Sequence, residues 1–251
     1  GKTSETRAAV LMNQQKQTKP TTAIRARATP AERVEIWMDL SGRPLGSEVL
    51  LKSLPFDPGG MEIPAEVPQG APRDLLRITV DRTEPETLSL PAELVPFGEH
   101  RYRVESAVNG LTPRILAVSR VMDHWLLNGR AFEMEEVAGN EIVQLGDLEL
   151  WELTNTAGPD STQLAHPIHL HGVQFQVVER WMNPSGAAAW ATVEQGIVDG
   201  GSKDTFLLMP GGTVRLLVRF EPFPGLYRAR GAERMNCAAE GRIAGMKRLM
   251  L

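Results

Sequence analysis

Cys237 is the only cysteine in a chain of 251 residues. No internal disulfide can therefore form, and the fold has to be held by its core rather than by cross-links. Aromatic residues are sparse at 6%, and no run approaches the roughly 20 apolar residues that a membrane-spanning helix needs. The opening GKTSETRAAVLMNQQKQTKP lacks the apolar segment of a secretory signal. Positive charge is not in excess either. Lys and Arg number 27 against 31 Asp and Glu, a net −4, which leaves no whole-molecule basic field for nucleic acid or an anionic membrane surface. Long helical periodicity is weak throughout, and the 10 methionines are dispersed, so a methionine-rich trap for cuprous ion is not supported. What remains is a chain 42% hydrophobic, long enough to bury about 70–75% of its unfolded surface in one or two domains.

Short apolar or alternating runs broken by turn residues fill the space that helices leave. RVEIWMDL (33–40), SEVLLKSL (47–54), DLLRITV (74–80) and RYRVESAV (101–108) each read as strands. Five prolines and a Gly-Gly pair make 55–73 a long irregular connection, and 91–100 is also loop-like, with a short helical turn predicted at 91–95. HWLLNGRAFEM (124–134) reads as a hairpin about Asn128-Gly129. IVQLGDLELWELTN (142–155) reads as two strands about Gly146-Asp147, and VQFQVVER (173–180) and TVRLLVRFE (213–221) are further strands. Many short strands with Gly/Pro punctuation predict an all-β chain of sandwich type, with a boundary near 110–122 giving two sandwiches. The polar, aperiodic start predicts a frayed terminus.

The five histidines are His100, His124, His166, His169 and His171, and three of them fall in HPIHLHG (166–172). On a strand His169 and His171 share a face because the side-chain period is two, whereas Pro167 places His166 on the incoming turn, free to aim elsewhere. Three imidazoles so close together point to a metal, and imidazole suits zinc, copper, iron or nickel alike. His100, in a charged loop, reads as solvated, and His124, opening a strand beside Trp125, as a packing residue. Asp204 and Glu179 are single carboxylates for which surface charge is the default.

HPIHLHGVQFQVVER resembles the H-P-x-H-x-H-G segment in the last cupredoxin domain of multicopper oxidases of the laccase and copper-efflux type. WLLNGRAFEM (125–134), LGDLELWELTN (145–155) and SKDTFLLMPGGTVRLLVRFEPFPGLY (202–227) follow in that family's order, and ATPAERVEIWMDLSG (28–42) is similar to a segment of its middle domain. The resemblance covers residues 25–227. It implies two cupredoxin-like Greek-key β-sandwiches, the first incomplete: a flexible N-terminus over 1–24, a partial middle domain over 25–115 and a C-terminal cupredoxin domain over 116–251. It further implies copper as cofactor, O2 and a small phenolic or metal-ion reductant as substrates, and a periplasmic or extracellular setting. By the same resemblance His166 matches the type 1 histidine, His169 the type 2 ligand and His171 a type 3 ligand, while Cys237 takes the type 1 thiolate position and Met246 the axial one.

This chain departs from the family in two places. Where the family has His-Cys-His-x-x-x-His, aligning Cys237 leaves Asn236, Ala238 and Arg242 at the histidine positions, in a basic tail carrying Arg228, Arg230, Arg234, Arg242, Lys247 and Arg248. The first-domain H-x-H pairs are also missing, so at most two of eight cluster histidines are present and an intact trinuclear site cannot be built from this chain alone. Two other functions therefore stay open: a copper-free cupredoxin scaffold acting as a binding module, and a mononuclear hydrolase, with zinc as an alternative metal, on His166, His169 and His171. An incomplete first sandwich would expose strand edges, which predicts a homodimer or association with a missing N-terminal domain.

Overall fold

The computed structural model describes residues 7–12, 15–20, 32–33, 35–59, 68, 70–85, 87, 89, 102–121, 124–131, 138–158, 163–222, 224–231 and 240–246. In the N-terminal half, β1 (Arg7–Met12), β2 (Gln15–Pro20) and β3 (Glu35–Met38) form a sheet in the order β2-β1-β3, and β4 (Glu48–Ser53) pairs with β5 (Arg73–Thr79) as a separate antiparallel ribbon. The hairpin of β1 and β2 occupies the stretch whose polar sequence reads as irregular. Leu75 and Leu76 on the ribbon are 60% and 52% exposed.

The remainder is a two-sheet sandwich. Its strands are β6 (Arg114–Val121), β7 (His124–Leu127), β8 (Arg130–Ala131), β9 (Ile142–Gln144), β10 (Leu148–Asn155), β11 (His166–Leu170), β12 (Phe175–Met182), β13 (Ser202–Lys203), β14 (Thr205–Leu208), β15 (Gly212–Arg219), β16 (Gly225–Gly231) and β17 (Glu240–Met246). One sheet runs β13-β12-β15-β10-β6-β7-β8 and the other β14-β11-β16-β17-β9. Alternate side chains of the larger sheet, Leu116, Trp151, Leu153, Phe175, Val214, Leu216 and Val218, meet Ile168, Leu170, Phe206 and Leu208 of the smaller one in a single buried cluster. This two-residue alternation is what packs two sheets face to face.

β10 is buried on both faces over its first four residues, and only Glu152 and Thr154 are partly exposed. Trp151 and Leu153 point into the sandwich, while Leu148 and Leu150 pack with Leu217 beneath Tyr102, Val104 and Ala107. The strand expected over 101–108 is not formed. Val104–Ser106 is a 3-10 turn, and Tyr102, Val104 and Ala107 use their apolar side chains to cover the outer face of β10 and β15. The hairpin turn at Asn128-Gly129 has φ of 51° and 76°, the left-handed pair expected of an Asn-Gly turn. The helical turn expected at 91–95 lies outside the described residues.

A short helix, α1 (Ala187–Ala191), follows a 3-10 turn at Pro184–Gly186. Beneath it Ala165, Ala189, Val193 and Met209 form a small second core that also takes Phe56 from the N-terminal half. The segment carrying Phe56 is further tied down where Ala165 donates its N–H to the Pro58 carbonyl at 2.9 Å. Gly59 makes this approach possible: its φ is +70°, and a Cβ there would lie 2.4 Å from Pro210 Cγ. The N-terminal segment thus docks on Ala165, the residue just before the histidine-bearing strand β11.

Candidate metal centre

β11 delivers the histidine motif. His166, Ile168 and Leu170 occupy alternate positions, and all three are buried. His166 is the first residue of the strand, 2% exposed, and its ring meets the Trp125 ring edge-on with centroids 4.4 Å apart. It does not sit on the incoming turn, as the sequence reading has it: Pro167 lies within the strand opposite Leu207 of β14, and pairing with β16 begins one residue later, at Ile168. A proline is tolerated there because it removes a donor only on the side not yet paired.

His169 takes the opposite face. His171 is the first residue past the strand, yet its ring lies 4.7 Å from that of His169, inclined at 61°. The shared side predicted from the two-residue period is thus formed. The hydrogen bonds of His169 settle which nitrogen is available. Its Nδ1 lies 2.9 Å from the Asp204 carbonyl and 2.9 Å from Thr205 Oγ1. A carbonyl can only accept, so Nδ1 carries the proton and Nε2 keeps its lone pair, the form in which a histidine binds a metal. These donors fit copper, for which neutral imidazole is a suitable ligand.

Asp204 occupies the single residue between β13 and β14, where the chain passes from one sheet to the other. Its carbonyl also accepts from the Leu170 N–H at 2.9 Å, and its carboxylate accepts from Thr205 Oγ1 at 3.1 Å and from Arg33 at 2.7 Å. Burial opposes ionisation of Asp204, but the hydrogen bond and charge of Arg33 outweigh it and the pKa falls below the usual value. The adjacent Lys203 is paired with Glu32. Asp204 enters the sequence reading only as a single carboxylate with surface charge as its default, and Thr205 does not enter it, since a lone carboxylate beside a strand carries no further signal. The usable hint was the complementary order of charges in Glu32-Arg33 and Lys203-Asp204. His169 and Asp204 also form part of the wall of an open polar cleft of about 590 Å³, with Tyr102, Arg219 and Glu221.

His166 lies across the strand from the His169–His171 pair, Cys237 lies outside the described residues, and of Met246 only the backbone is described, in β17 opposite Gln144 of β9. The β16 residue in register with His169 is Arg230. Among the described residues no three His, Cys, Asp or Glu side chains converge as a ligand set. The three-imidazole centre required by a hydrolase is therefore not formed, and zinc loses its support with it.

Burial pushes the His166 pKa down to about 4 from an ordinary 6.5, so the ring is neutral in the folded chain at physiological pH. This group's folded pKa lies below its unfolded one. Its contribution is therefore fully present above pH 6.5 and is lost as pH falls toward 4, because the unfolded chain takes up the proton first. For the metal-free protein, denaturant unfolding between pH 7 and pH 4 is expected to show a loss of about 3 kcal/mol from this residue. His166→Leu should flatten that slope, and an unchanged slope would contradict the assignment.

The family model for multicopper oxidases matches residues 111–230. A bilirubin oxidase from Albifimbria verrucaria is 33% identical over 201 residues, covering 78% of this chain and 32% of its own length. A laccase from Haloferax volcanii is 32% identical over 204 residues, 79% of this chain and 31% of its own. The chain thus spans about a third of these curated relatives. Among solved structures, a multicopper oxidase from Campylobacter jejuni superposes with a TM-score of 0.64 at 17% identity, over 97% of this chain and 50% of its own. One from Aquifex aeolicus gives 0.64 at 20% identity, over 94% and 51%. These two likenesses establish the cupredoxin-like sandwich fold. The matched segment holds the whole of β11 with its histidines, and together with the two curated relatives it shows that this chain belongs to the multicopper oxidase family.

Proposed function

We propose that this chain is a copper-binding portion of a laccase-like multicopper oxidase, in which one-electron oxidation of a small reduced substrate, phenolic or metal-ion, is coupled to reduction of O2. The observation that carries this reading is the His169–His171 pair: two rings 4.7 Å apart on one side of a strand, one with its proton committed to Nδ1. Bound there, copper would supply reversible one-electron chemistry and a site for O2. His169 and His171 would hold it. Asp204 and Thr205 fix the ring of His169, and Trp125 and the sandwich core exclude water around the buried His166. A neutral His166 suits copper of the type 1 kind, with Cys237 and Met246 as further ligands by family resemblance.

The first-domain histidine pairs are not among these 251 residues, and Asn236, Ala238 and Arg242 stand where the family has further histidines, so O2 reduction needs both a first cupredoxin domain and those histidines restored. That domain would cover the exposed Leu75 and Leu76 of the β4–β5 ribbon, and the oxidising periplasmic or extracellular space is the setting in which the family handles copper. The test is to load the chain, and a variant carrying Asn236→His, Ala238→His and Arg242→His, with Cu(II), desalt each, and measure retained copper and O2-coupled oxidation of a phenolic dye, with and without a first cupredoxin domain bearing the missing pairs. Retained copper in both, with dye oxidation only in the mixture of the triple variant and that domain, is expected. A chain that retains no copper and gives no oxidation in either case would overturn the reading and leave the scaffold role.

A further inference from the structure

Arg33 and Asp204 are 171 residues apart in sequence, yet the guanidinium lies 2.7 Å from the carboxylate. From there a continuous series of bonds leads to the candidate copper ligand. Thr205 Oγ1 donates to Asp204 Oδ1 at 3.1 Å, and because that hydroxyl has spent its hydrogen it can only accept from His169 Nδ1, at 2.9 Å. The Asp204 carbonyl accepts from the same Nδ1–H and from the backbone of Leu170. The carboxylate of Asp204 therefore sets the direction of the Thr205 hydroxyl, and the hydroxyl together with the carbonyl sets the tautomer and tilt of the imidazole. Partners one bond removed from a ligand act in this way on metal affinity.

We infer that Arg33, through Asp204 and Thr205, is a positioning residue for His169, so that docking of the N-terminal half orients a copper ligand carried by the C-terminal sandwich. The proposal rests on the copper reading of the His169–His171 pair. It gives a function to the Ala-Glu-Arg segment before β3 that fold stability alone does not require, since Arg33 is largely exposed, at 68%. Glu32 supplies an internal control. It pairs with Lys203, next to Asp204, and so holds the same corner, and it bears on Arg33 through its charge.

The experiment titrates Cu(II) alone into the full chain and into Arg33→Ala, Arg33→Lys, Thr205→Val and Glu32→Gln. Affinity is read by chelator competition and the ligand field of the bound ion by electron paramagnetic resonance, with thermal melting of each metal-free variant to show that it folds. Thr205→Val keeps the shape of a residue that is 1% exposed and is expected to weaken binding about tenfold. Arg33→Ala is expected to weaken it about threefold with a shift in the resonance parameters in the same direction, and Arg33→Lys to restore most of both. Glu32→Gln should lower the melting temperature while moving affinity and spectrum less than Arg33→Ala does. If Arg33→Ala leaves both copper readouts unchanged, or Glu32→Gln moves them equally, the positioning role is wrong while the copper site stands. If the parent's Cu(II) binding is indifferent to His169→Ala, the copper reading fails first and takes this inference with it. Should Arg33→Ala not fold, Thr205→Val and Arg33→Lys carry the same comparison.

Discussion

Trp151→Ala is expected to cost about 3–5 kcal/mol of unfolding free energy, read as a shift in urea midpoint with little change in m-value. The side chain is fully buried at the centre of the sandwich, with its ring 5.2 Å from that of Phe220. Removing it leaves a cavity between two sheets that cannot move together without breaking their hydrogen bonds. A second cost follows from its polar edge. Trp151 Nε1–H donates to Glu149 Oε2 at 2.8 Å, and both oxygens of Glu149 accept from Arg114 at 2.7 Å. Glu149 is 5% exposed, so its charge is tolerated only because three donors surround it. Trp151→Phe separates the two effects: it keeps most of the buried ring but removes one donor, and should cost about 1–2 kcal/mol. Equal losses in the two variants would mean that the cavity is not what destabilises Trp151→Ala.

The same network shows what was and was not legible in the sequence. The run LELWELTN gives β10 directly, because its apolar residues fall on both faces of a strand. Arg114 and Glu149 look like ordinary surface charges until the parallel pairing of β6 with β10 sets Arg114 opposite Trp151. The hairpin at Asn128-Gly129 and the shared face of His169 and His171 were readable because each depends on neighbours one or two residues away. The segment at 101–108 was misread for the complementary reason. Its apolar residues suit a strand, but Tyr102, Val104 and Ala107 spend them on covering another sheet, and no local pattern reports which surface a side chain will meet. α1, an Ala-rich run of five residues, is too short to show a helical period. The pairing of Arg33 with Asp204 is longer in range still, and only the fold brings its two ends together.

The largest effect on the site itself is expected from His169→Ala combined with His171→Ala, which should lower Cu(II) affinity by about 100-fold or more, since both imidazoles on that side of β11 are removed. Equilibrium dialysis with a competing chelator measures it, and zinc titrated in parallel gives the selectivity. The geometry makes this prediction specific to two of the three histidines. His166 lies on the core face, edge-on to Trp125, while His169 and His171 are brought together on the other. His166→Leu, which keeps an apolar volume beside Trp125, is therefore expected to leave binding at the pair within about threefold of the parent. A loss in His166→Leu as large as in the double variant would mean that the three imidazoles act as one mononuclear set after all, and the division of β11 into two metal-facing sides would have to be abandoned. If the division holds, a single five-residue strand serves two environments. One is buried and keeps its imidazole neutral by excluding water. The other borders the cleft and keeps its imidazole in place through Asp204 and Thr205.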